Sequence, residues 1–89
     1  MVRGDVEWPE WWDWSLDFGL LHLAARMRSR SFNETDLREM LQEAYNYRTD
    51  VEPGRWVIET RRNAVRWEII VEPQEAEQVL LVVTAYAVQ

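Results

Sequence analysis

The chain has 89 residues, 47% of them hydrophobic, which is enough for one domain and excludes a disordered chain. It contains no cysteine, which excludes a disulfide framework and a thiolate metal site, and its net charge of −6 argues against a surface built throughout for nucleic acid. No apolar run is long enough to span a bilayer and no signal-peptide pattern opens the chain, so the expected setting is cytoplasmic, with no membrane contact.

Residues 1–11 read as a Trp-rich acidic arm ahead of a single domain over residues 12–89. Trp8, Trp11, Trp12 and Trp14 crowd this end beside Glu7, Glu10, Asp13 and Asp17. The rings could stack bases, but the neighbouring acids repel phosphate. Edge cover, core packing or a protein-binding surface fits them better. Trp12, Trp14, Leu16 and Phe18 alternate with polar residues, which predicts a strand with one buried face. Leu20–Arg30 then reads as an amphipathic helix. At about 100° per residue, Leu20, Leu23, Ala24 and Met27 form one stripe, and His22, Arg26 and Arg30 fall on the other face.

Asn33 is a good N-cap, with Asp36 at the third helical position, and Phe32 and Leu37 stand where a hydrophobic staple needs them. The second helix is predicted from Glu34 to about Tyr45. Pro53-Gly54 marks a turn. Arg55–Arg62 alternates with Trp56, Ile58 and Thr60 on one side, and Asn63-Ala64 is a short hairpin connection. Val65, Trp67, Ile69 and Val71 alternate in the next strand, and Pro73–Gln78 is a polar loop. Val79–Val88 is apolar at nearly every position, as in a central strand or an interface; Thr84 and Tyr86 are its polar exceptions. The order strand, helix, helix, strand, strand, strand predicts an α+β fold, β-α-α-β-β-β. Two helices pack on one face of an antiparallel sheet, and the first strand is added at an edge.

All ten basic residues are arginine, and nine lie in residues 26–66, whereas residues 1–25 hold one arginine against five acids and residues 67–89 none against four. Arginine is the better group for bidentate phosphate contact. Arg61, Arg62 and Arg66 flank the hairpin turn and could form a phosphate-binding corner, or pair across the strands with Glu59 and Glu68. The carboxylates lack metal-ligand spacing, so no metal and no cofactor is expected.

His22-x-x-x-Arg26-Met27-x-x-Arg30, Phe32-Asn33-Glu34-x-Asp36-Leu37-x-x-Met40-Leu41, Pro53-Gly54-Arg55, Trp67-Glu68-x-x-Val71-Glu72-Pro73 and Leu81-Val82-Val83-Thr84-Ala85-Tyr86 together resemble a widespread bacterial family of small proteins classed as a domain of unknown function. The resemblance covers roughly residues 12–88. That family is similar in layout to the RelE-like toxins of the barnase–EndoU–colicin–RelE group. The resemblance implies metal-independent RNA cleavage by a toxin paired with an antitoxin-like protein. Such cleavage needs proton transfer and cations around the phosphorane, roles that His22, Arg26 and Tyr86 would take, with Arg30, Arg61, Arg62 and Arg66 holding RNA phosphates. Each residue has a plainer reading: arginines solvating an outer face, and a His22 or Tyr86 hydrogen-bonded within the fold. The alternative function is a non-catalytic protein-interaction module. The apolar last strand and the Trp-rich arm predict a homodimer or a hetero-complex.

Overall fold

The computed structural model describes residues 7–19, 27–28 and 32–88. Pro9 has no N–H to lose at the start of a turn, and the chain behind it winds into a short 3-10 helix over Glu10–Asp13, with Trp12 N–H donating to Pro9 O at 3.0 Å and Trp14 N–H to Trp11 O at 3.1 Å. Six further elements follow: β1 (Ser15–Asp17), α1 (Glu34–Gln42), β2 (Asn46–Thr49), β3 (Trp56–Arg62), β4 (Val65–Gln74) and β5 (Val79–Ala87). The five strands form one sheet in the order β1-β5-β4-β3-β2.

This architecture corrects the expected β-α-α-β-β-β layout in three ways. The sheet has five strands and is mixed, because β1 runs parallel to β5, with Ser15 opposite Val79 and Asp17 opposite Leu81. The strand predicted over 12–18 shrinks to three residues, since the turn behind Pro9 takes Trp11–Asp13. A strand also appears where the second helix was expected to fade. α1 stops at Gln42, Ala44 N–H closes back on Leu41 O, and Tyr45 N–H reaches Glu59 O, which carries Asn46–Thr49 into the ladder beside β3. Among the described residues α1 is the one complete α-helix. The helix predicted over Leu20–Arg30 lies outside them, except for Met27 and Arg28, which are helical.

The local signals around α1 take the expected form. Asn33 Oδ1 accepts from Asp36 N–H at 2.9 Å and Asp36 Oδ2 accepts from Asn33 N–H at 3.0 Å, a complete capping box, while Phe32 and Leu37 are both buried in one cluster. The β3–β4 connection is the two-residue turn Asn63-Ala64, with φ of 53° and 65°; asparagine tolerates this left-handed region and alanine does so at a cost.

The main core lies between α1 and one face of the sheet. Leu37, Met40 and Leu41 meet Ile58 of β3, Trp67, Ile69 and Val71 of β4, and Leu80, Val82 and Ala85 of β5. Thr60, fully buried, donates its hydroxyl to Met40 O and ties β3 to the end of α1. Trp8, Trp11, Trp12 and Trp14 pack against this core, and Trp11 lies 5.5 Å from Trp56 and 6.0 Å from Tyr47 between ring centroids. Tyr47 also donates its hydroxyl to Glu7 O at 2.8 Å, fixing the start of the described chain to β2. On the opposite face Val57, Ile70 and Val83 form a second, smaller buried cluster with Leu81 and Tyr86 at its border.

Candidate functional site

His22, Arg26 and Arg30 lie outside the described residues. The other predicted site residues do not converge. Arg61 and Arg66 stand opposite each other in the β3–β4 register, both exposed, with the Arg61 guanidinium 5.4 Å from the centre of the Tyr45 ring. Arg62 turns to the helix side, where it meets Asp36 at 3.3 Å and lies over Trp67 at 5.8 Å. The carboxylate that closes the capping box thus also takes Arg62. Tyr86 faces the other way and borders the second cluster, while Met27, from the predicted first helix, packs on the α1 side of the sheet.

Around Tyr86 the open face carries a continuous polar network. Glu59 and Glu68 are opposed across β3 and β4, and Arg48 bridges them, at 3.3 Å to Glu59 and 2.7 Å to Glu68. Asn46 donates to the free oxygen of Glu59 at 2.9 Å, and the Tyr86 hydroxyl donates to the free oxygen of Glu68 at 2.7 Å. The Asn46 amide, and then Arg48, hold the Glu59 carboxyl below its ordinary value against the opposing effect of burial. Burial, and then the Glu68 carboxylate, push the Tyr86 phenol up to about 12. A phenol held this firmly neutral is a structural donor at pH 7. Thr84, opposite Ile70, keeps a buried hydroxyl with no hydrogen-bond partner beside this network.

A different arrangement lies between α1 and the segment leading into β1. There a groove of about 330 Å³ is lined by Trp12, Trp14, Leu16, Leu41 and Leu80, together with Arg38 and Gln42 of α1 and Asp13 and Ser15 of the segment leading into β1. The local sequence explains it. Leu37 and Leu41 bury their stripe on the sheet, and Arg38 and Gln42, one turn apart, are carried to the helix flank nearest β1. Arg38 lies over the Phe18 ring at 5.1 Å and has no carboxylate partner within salt-bridge distance among the described residues. Of the predicted site residues that the structure describes, Arg61, Arg62, Arg66 and Tyr86, none lines this groove. Of its lining, Trp12 and Trp14 stood out in the sequence, whereas Arg38 and Gln42 did not.

A second concavity, about 290 Å³ at the hairpin tip, mixes Arg61 and Arg62 with Asp36, Glu39 and Glu43, so its charges largely answer each other. Among the described residues no three His, Cys, Asp or Glu side chains gather as a metal site would require, and no helix is long and apolar enough to cross a membrane. No protein family, curated protein or solved structure matches the chain.

Proposed function

We propose that this chain is a protein-recognition module that seats an apolar side chain of a partner segment in the α1–β1 groove, with a neighbouring carboxylate of that segment on Arg38. The observation that carries this reading is the groove itself: two tryptophans and three leucines around a guanidinium that no carboxylate of the described chain neutralises. Tryptophan and arginine are the residues that dominate binding energy at interfaces, and here they line one concavity together with Asp13, Ser15 and Gln42, polar groups that can orient a bound segment. Among the described residues no strand pairs with the outer edge of β1, which offers backbone groups to a bound segment. We place the module in the cytoplasm, a compartment that suits a cysteine-free chain.

The test is a titration of the protein with short peptides carrying leucine or phenylalanine beside aspartate, followed at the indole N–H resonances of Trp12 and Trp14. Saturable shifts that disappear in Arg38→Glu are expected. Indoles that no such peptide moves would overturn the reading. RNA incubated with the protein in EDTA is the contrasting assay, and cleavage lost in His22→Ala would return the function to the ribonuclease group.

A further inference from the structure

Building on the groove as a recognition site, we propose that one of its occupants is the β2–β3 turn of a second copy of this chain, so that copies join head to tail. The turn presents a single apolar side chain between two acids. Val51 is 96% exposed, far more than the other large hydrophobics left at the surface of the described residues, and it stands between Asp50 and Glu52. The turn is also held in shape. Asp50 N–H donates to Arg55 O at 3.0 Å, Arg55 N–H to Glu52 O at 3.3 Å, Gly54 takes the positive φ of 83°, and Arg55 pairs with Glu72 of β4 at 3.1 Å. A knob already ordered loses little conformational freedom on binding.

Knob and groove match in chemistry. An apolar side chain flanked by carboxylates meets a groove in which apolar side chains stand beside Arg38, which has no carboxylate partner among the described residues, and the presence of Asp13 in the same lining leaves Arg38 as the place for the carboxylate. They also lie on opposite edges of the sheet, the turn next to β2 and the groove next to β1. A copy that donates its knob therefore keeps its own groove open at the far edge, and the contact propagates as a heterologous one. A single valine and its neighbours bury far less area than a stable interface, so the association is weak and appears only as concentration rises.

Sedimentation velocity over a wide concentration series tests this. The average mass should climb past that of a dimer at the highest concentrations. Val51→Asp and Arg38→Glu should each remain monomeric, with unchanged circular dichroism. Mixed together they should pair and stop at the dimer, because Val51→Asp keeps its groove and Arg38→Glu keeps its knob. A wild-type chain that stays monomeric, an association that survives both substitutions, or a mixture that stays monomeric would overturn the proposal. The peptide titration is repeated on Val51→Asp, which has a groove but no knob. Peptide binding there without any wild-type association removes the self-contact alone, and failure of both removes the groove reading as well.

Discussion

The two faces of the sheet close by different means. The face under α1 is dry: leucines, isoleucines and tryptophans interlock, and the one buried polar residue among those described, Thr60, is satisfied by the helix. The opposite face buries three residues, Val57, Ile70 and Val83, and then spreads Arg48, Glu59, Glu68, Asn46 and Tyr86 beside them in a hydrogen-bonded lattice. The first face gains from apolar burial, which scales with area removed from water. The second holds its charges at the protein–water boundary, where an ion pair is worth little and every lone pair must still be matched.

That contrast can be broken by mutation. Leu37→Ala, at a fully buried position beneath α1, should cost about 2–5 kcal/mol in chemical denaturation. Glu68→Gln on the other face should cost less than about 1 kcal/mol, since Arg48 is half-exposed and keeps Glu59. Equal losses would show that the polar lattice carries the fold as much as the dry core does. Thr60→Val keeps the shape but removes one of two donors to Met40 O, leaving the Glu43 N–H, and should cost about 1 kcal/mol. Ala64→Gly acts where the faces share a hairpin and should stabilise both by about 1 kcal/mol, read as a higher denaturation midpoint, because glycine adopts a φ of 65° without the clash of a Cβ.

The smallest effect concerns pH. Tyr86 releases its proton at about 12 in the folded chain against 10.0 when free, so its contribution is complete below pH 10 and fades as pH rises toward 12. Glu59 behaves in the opposite sense: its contribution is complete above its ordinary value of 4.5 and fades as pH falls through its lower folded value. Stability measured against pH should therefore decline at both ends, and Tyr86→Phe should flatten only the alkaline limb.

The dry face was the legible one. Trp56, Ile58 and Thr60 of β3 and Trp67, Ile69 and Val71 of β4 alternate strictly, and all six point toward α1 or its border. Asn33 and Asp36 announced the capping box because its partners are three residues apart. The strand β2 was not legible: Asn46–Thr49 has four residues, three of them exposed, and only the pairing with β3 makes it a strand. Nor could the parallel β1–β5 contact be read, since nothing local specifies a partner so far along the chain. β5 looked apolar on both faces for a concrete reason. Both faces bury its side chains, Leu80 and Val82 under α1 and Leu81 and Val83 at the second cluster, and a bulge beside Ile70 and Val71 then shifts the phase so that Ala85 returns to the α1 side. At the site, Tyr86 stood out as a polar exception, but its partner Glu68 needed the strand register. Arg38 gave no sign, because an exposed helical arginine is ordinary until the groove beside it is seen.

The place of β5 between β4 and β1 has a consequence for the order of events on the ribosome. As the chain emerges, β2, β3 and β4 are joined by short turns and can pair early, giving the N-terminal tryptophans Tyr47 and Trp56 to rest on. β1 was made long before, yet it has no strand to join until residues 79–81 arrive to close the longest loop in the sheet. Trp14 and Leu16, which wall the groove, therefore reach their final places in the last step of assembly. Slowing the release of β5, by a translational pause or by weakening its pairing with β4, would yield chains that are largely folded but have an unfinished groove.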